Sequence, residues 1–166
     1  MLSARNKKPI VGIPNVHQKG GSDMYAKGSA ILHTLRNLID NDSIWFDILK
    51  TMSEEFKYQT IDGRDILDFI NQKSGYDFDT FYQQYLYTPN LPQLEYKLRG
   101  FGKNKTLHYR WKAIDGFDMP VKVSLQAGTF DWIYPTQKWK KKTIKILKKD
   151  FKIANHLFLI DSKQSF

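Results

Sequence analysis

The stretch Thr88-Pro89-Asn90-Leu91-Pro92-Gln93-Leu94-Glu95-Tyr96-Lys97-Leu98-Arg99 divides the chain into two kinds of sequence. Pro89 and Pro92 lack a backbone N–H, fix their own φ and bias the residue before them toward extended geometry. Beyond them Leu94, Tyr96 and Leu98 alternate with Glu95, Lys97 and Arg99. A period of two is the pattern of a half-buried strand. Upstream, apolar residues recur at helical spacing. The reading is an α+β chain, with an α-helical segment over 1–92 and an antiparallel β-sandwich over 93–166.

Working upstream, a helix is expected over 23–38, where Ile31, Leu32, Leu35, Leu38 and Ile39 share a face. Ser22 or Asp23 can cap it, because their side-chain oxygens accept from unpaired N–H groups. Asn41-Asp42-Ser43 breaks the chain. A second helix over 44–56 carries Trp45, Ile48, Leu49, Met52 and Phe56 on one side. A third over 63–72 starts after Asp62 and ends near Gly75, which suits a left-handed C-terminal turn. A short fourth helix after Asp77 turns Phe78, Phe81, Tyr82 and Tyr85 inward. Residues 1–22 are polar, broken by Pro9, Gly12, Pro14, Gly20 and Gly21, and read as a loop or arm cut from a longer chain.

Working downstream, Leu107, Tyr109 and Trp111 alternate with His108, Arg110 and Lys112, and Val121, Val123 and Leu125 with Lys122 and Ser124. Further strands are expected over 129–134, 139–147 and 156–160. Short strands separated by Gly100, Gly102, Gly116 and Gly128 are the signature of an antiparallel sandwich.

The 166 residues and 41% hydrophobic content support a packed core. There is no cysteine, so disulfides and thiolate metal sites are excluded. No apolar run approaches the ~20 residues that span a bilayer, and the N-terminus lacks the apolar core of a signal peptide. The compartment stays open. The net charge of +9 is concentrated late, in Lys138, Lys140, Lys141, Lys142, Lys145, Lys148, Lys149 and Lys152. These lysines read as the wet face of an exposed hairpin, where lysine discourages edge pairing, rather than as a nucleic-acid contact. The latter would predict steeply salt-dependent retention of DNA or RNA.

Chemistry-bearing patterns are few. His17, His33, His108 and His156 are too far apart to form a helical H-E-x-x-H pair. No G-x-S-x-G elbow exists. Gly20-Gly21-Ser22 and Lys27-Gly28-Ser29 lack the full spacing of a phosphate loop.

One set of segments is distinctive. Tyr25-Ala26-Lys27-Gly28, followed by small and apolar residues and Leu35-Arg36, resembles the Y-x-K-G motif of the M1 family of zinc aminopeptidases. Ser74-Gly75-Tyr76-Asp77-Phe78-Asp79-Thr80-Phe81-Tyr82-Gln83-Gln84-Tyr85 resembles the family's S-G-x-D-L-x-x-F-F-x-x-W segment. Leu91-Pro92-Gln93-Leu94-Glu95-Tyr96 resembles its continuation. The three occur in family order over residues 20–96. A looser likeness to the β-sandwich of bacterial members follows, in Met119-Pro120-Val121-Lys122-Val123 and Pro135-Thr136-Gln137-Lys138-Trp139.

The resemblance implies the C-terminal part of such an enzyme. It gives Tyr25 a catalytic role: in the family this tyrosine donates its hydroxyl to the oxygen of the tetrahedral intermediate formed at the zinc. A neutral O–H aimed at developing charge suits that task, and a helix start adds favourable partial charge. Lys27 is expected to orient an acid or to be solvated. Gly28, costly inside a helix by ~1 kcal/mol, is expected to mark close approach of a neighbouring helix.

The family holds zinc through H-E-x-x-H and a later glutamate, all upstream of the tyrosine. The 24 residues ahead of Tyr25 contain one histidine and no glutamate. This chain is therefore expected to hold no metal, to be inactive alone, and to need the remainder of the catalytic domain as partner, with peptide as substrate and zinc as cofactor of the intact, possibly exported, enzyme. The other reading is a non-catalytic protein-interaction module, with Tyr82, Tyr85 and Tyr87 offered to a partner.

Overall fold

The structure, a computed structural model, describes residues 8–12, 23–126 and 128–165. His17, Ser22 and the Gly20–Gly21 pair lie outside the described residues. The order is α1 (Asp23–Ile39), α2 (Asp42–Glu55), α3 (Gly63–Ser74), α4 (Asp79–Leu86), β1 (Gln93–Arg99), β2 (Asn104–Lys112), β3 (Val121–Gln126), β4 (Thr129–Ile133), β5 (Lys140–Lys145) and β6 (Asp161–Gln164). The chain is α+β, with described helices before the Pro89–Pro92 connector and described strands after it.

Local chemistry accounts for the helix ends. Asn41 caps α2 by accepting from the Ile44 N–H. Asp62 and Asp65 form a reciprocal capping box at α3, and Gly75 closes that helix at φ 74°. The Asp77 carboxylate accepts from the Asp79 N–H at 2.9 Å, setting the start of α4. Asn71 ties α3 to α4: its amide donates to Asp79 at 3.1 Å and its carbonyl oxygen accepts from the Phe78 N–H at 3.2 Å.

The expected sandwich is instead a single mixed sheet in the order β4-β3-β5-β2-β1-β6. Two parallel pairings make it so. β3 meets β5 only at Gln126–Lys145, and β6 lies parallel to β1, with Gln93 opposite Asp161. The reason is the segment before β6. Residues 156–160, expected as a strand, form a turn and an irregular plug that buries Phe158, Leu159 and Ile160. Its polar backbone is met by helix side chains rather than by a strand. Leu159 N–H donates to Thr34 Oγ1 at 2.9 Å, and Tyr85 Oη donates to the Leu159 carbonyl at 2.8 Å. The chain then emerges alongside β1.

The buried apolar residues of helices and sheet form one cluster, from Ile31, Leu35 and Ile48 through Phe81 and Tyr85 to Trp111, Phe117, Val121 and Phe158. Burial of this apolar surface is the main force holding the layers together. Polar groups inside it are mostly paired. Trp111 Nε1–H donates to the Met119 carbonyl at 2.8 Å. Tyr82 Oη is the exception, buried with no hydrogen-bond partner among the described residues.

Candidate functional site

The connector and the start of α1 are built as one unit. Lys27 is fully buried. Its ammonium donates to the Thr88 carbonyl at 2.9 Å and lies 3.3 Å from the Pro89 carbonyl. Gln84, also buried, donates to Thr88 Oγ1 at 3.0 Å and to the Asn90 carbonyl at 2.8 Å, and accepts from the Ile114 N–H at 2.9 Å. These bonds fix where the helical part hands over to β1. The N-terminal arm touches the same place, with the Ile10 and Val11 N–H groups donating to the Leu86 carbonyl. Of the two expectations for Lys27, orienting an acid or being solvated, burial removes the second. A buried ammonium persists only where oxygens surround it, and here the connector supplies them.

Tyr25 stands two residues before Lys27, in the first turn of α1. A two-residue step rotates about 200° around a helix, so burying Lys27 turns Tyr25 outward. Its side chain is 76% exposed. The first turn of a helix carries N–H groups with no intrahelical acceptor and a positive dipole end. The phenol thus sits where negative charge is favoured.

One turn on, Gly28 differs from expectation. A Cβ built there would meet no described atom within 4 Å, so no described helix presses on it. Leu32, expected inside, is 50% exposed. Tyr25, Gly28, Leu32 and Arg36 follow helical spacing along this outer side. Arg36 continues it onto α2: its guanidinium lies 5.2 Å from the Phe46 ring and is held in a two-bond pair with Asp42 at 2.8 Å. That pair holds the Asp42 carboxyl below the usual range. Phe46 is 55% exposed, and Leu49, also expected inside, is half-exposed. The outer side of α1 and α2 exposes Tyr25, Leu32, Phe46 and Leu49 in an apolar strip interrupted by the Arg36–Asp42 pair.

The other candidate residues do not gather there. His33 Nε2 lies 3.1 Å from the His156 carbonyl, at the helix–sheet junction. His108 sits on β2 opposite Lys97 and Lys141. Among the described residues, no group of three or more histidine, aspartate or glutamate side chains is placed to hold a metal ion. Tyr82 and Tyr85 are buried, as expected of the apolar side of α4, so of the three tyrosines that the interaction-module reading offers to a partner only Tyr87, half-exposed, is available. Burial pushes both buried phenols well up from their ordinary value.

Sequence reasoning missed the Lys27 and Gln84 brackets. The signal available was a lysine and a glutamine on otherwise apolar helix faces, each facing a proline-rich connector that leaves carbonyls unpaired.

The arrangement is a helical unit joined through a bracketed connector to a mixed sheet. No protein-family profile matches the chain. Aminopeptidase N of Lactococcus lactis subsp. lactis is 33% identical over 69 residues, which is 42% of this chain and 8% of that protein. The crystal structure of Legionella pneumophila aminopeptidase A, determined with aspartic acid, superposes with a TM-score of 0.65 over 88% of this chain and 18% of that one, at 12% identity. The chain is thus similar in sequence to one aminopeptidase and in fold to part of another, and it spans less than a fifth of either.

Proposed function

We propose that this chain is the C-terminal part of an M1-family zinc aminopeptidase and contributes Tyr25 as the hydrogen-bond donor to the oxyanion of peptide hydrolysis. Residues 1–92 are then the end of the catalytic domain and 93–166 the β-domain that follows. The observation that carries the reading is Tyr25 itself: a phenol projecting from the first turn of α1, with its hydroxyl turned away from the buried Lys27. The Tyr25-x-Lys27-Gly28 motif, the open space beside Gly28 and the similarity to a much longer aminopeptidase support it.

The described residues do not supply a zinc ligand set, and no H-E-x-x-H occurs in the sequence. Its contribution is the O–H and the apolar strip around it. A fixed donor in a water-poor cleft stabilises developing charge by about 3 kcal/mol, or about a hundredfold in kcat. The purified chain, supplied with zinc, therefore shows no turnover of an aminoacyl anilide. Clear turnover would refute the reading. In-frame H-E-x-x-H coding sequence upstream of Met1 would strengthen it.

The second reading is a non-catalytic protein-interaction module. The exposed Leu32, Phe46 and Leu49 favour it, since an apolar strip on a helix pair is a surface that a partner covers. The two readings part on Tyr25: a module tolerates its loss of the hydroxyl, and an enzyme does not.

A further inference from the structure

The end of the sheet farthest from the Pro89–Pro92 connector combines two features that seldom share a surface. The β1–β2 hairpin turns through Gly100-Phe101-Gly102-Lys103. Gly100 has φ 111°, and a Cβ there would come within 2.5 Å of the Asn104 carbonyl oxygen. Gly102 has φ 52°. Positive φ at both flanks needs glycine, so the turn is built to present the residue between them. That residue is Phe101, with 96% of its surface exposed. The Lys105 ammonium donates to the Gly100 carbonyl, bracing the turn from beneath.

The same end of the sheet carries a collar of cations. Arg99 ends β1 and Lys103 lies on the turn. Lys145 is opposite Asn104 at the end of β5. The Ile146 N–H donates to the Lys103 carbonyl at 2.8 Å, which carries the following 3-10 turn, Lys148–Asp150, to the same tip. Arg99, Lys103, Lys145, Lys148 and Lys149 are all exposed. Asp150 is the acid of that turn, and Asp131 on β4 is already 4.0 Å from Lys142.

We propose that this tip is a docking site for an anionic lipid surface. The Phe101 ring enters the boundary between headgroups and acyl chains, and the collar meets lipid phosphates and carboxylates. Apolar wedge and basic rim are the two terms that bind a protein to such an interface. A single-stranded nucleic acid wants a different shape, a groove that tracks its backbone with aromatic platforms inside it. Here the aromatic ring is at the apex of a turn, with the cations set back from it.

The experiment is vesicle co-sedimentation of the full chain. Phosphatidylcholine vesicles are compared with vesicles of phosphatidylcholine and phosphatidylserine, at low and raised salt, beside a single-stranded oligonucleotide arm. The proposal expects binding to the phosphatidylserine vesicles that weakens with salt. Phe101→Ser should reduce that binding about tenfold, the effect of withdrawing most of one buried aromatic side chain. Lys148→Glu with Lys149→Glu should reduce it at least about tenfold, at roughly fivefold per charge lost from the surface. Because these side chains are exposed, unchanged melting temperatures should accompany both variants. Absent vesicle binding overturns the proposal. So does vesicle binding that Phe101→Ser leaves intact, or oligonucleotide retention without vesicle binding.

Discussion

Tyr82 and Tyr85 lie one turn apart on α4 and are both buried, yet removing their hydroxyls should change stability in opposite directions. Tyr85 Oη donates to the Leu159 carbonyl at 2.8 Å, inside the plug that precedes β6. Tyr85→Phe keeps the ring against Phe81, 4.5 Å away centroid to centroid, and leaves that carbonyl unpaired in the core. The cost of a buried acceptor without its donor is about 1–3 kcal/mol. Tyr82 Oη has no partner among the described residues. Tyr82→Phe removes a desolvated polar atom and should be neutral or stabilising by up to about 1 kcal/mol. For a chain of this size, 1 kcal/mol moves Tm by about 2–4 °C. Tyr85→Phe should therefore melt about 2–12 °C below the parent, while Tyr82→Phe melts level with it or slightly above. Thermal unfolding followed by far-UV circular dichroism, with chemical denaturation alongside, reads both. Equal losses in the two variants, or a larger loss in Tyr82→Phe, would refute the assignment of these hydroxyls and with it the plug as the link between α4 and the sheet.

Lys27→Met should cost about 2–4 kcal/mol despite the similar side-chain length, because the Thr88 and Pro89 carbonyls lose a charged donor in a buried site; urea unfolding measures it, and a change under 1 kcal/mol contradicts the bracket. Asp62→Ala removes the Asp62 side-chain half of the α3 capping box, which accepts from the Arg64 and Asp65 N–H groups, and should cost about 1 kcal/mol in the same assay.

The parts of the fold visible in the sequence are those set by neighbouring residues. Asp62 and Gly75 mark the ends of α3 because capping and left-handed turns are local events. β1, β2 and β3 are readable because apolar residues alternate along each sequence, although only β2 buries strictly alternate residues, Leu107, Tyr109 and Trp111. The sandwich expectation failed because pairing is decided by distant chain. Nothing in Gln126 or Lys145 announces that they meet. β6 has no apolar alternation at all: Asp161-Ser162-Lys163-Gln164 is exposed throughout, and its place beside β1 rests on backbone bonds such as Asp161 N–H to the Pro92 carbonyl. Phe158-Leu159-Ile160 has the composition of a buried strand. It serves as a plug because Thr34 and Tyr85 satisfy its backbone from another element.

The candidate site divides in the same way. Tyr25 could be singled out from its motif, and its outward direction follows from helical geometry once Lys27 is known to be buried. That burial could not be read from the residue type, because it depends on carbonyls sixty residues away. Gly28 and Leu32 were expected to be covered. They face open space because no described helix packs on that side, which is also what leaves Tyr25 and the strip through Phe46 accessible.

The central claim concerns one hydroxyl, and the direct test is kinetic. On the proposed reading, the chain is combined with the zinc-bearing remainder of the aminopeptidase it would belong to, and kcat for an aminoacyl anilide is measured with Tyr25 and with Tyr25→Phe. The account predicts about a hundredfold lower kcat in the variant, with KM, melting temperature and association of the two parts unchanged. A kcat within twofold of the parent would contradict it and leave the apolar strip as a binding surface alone.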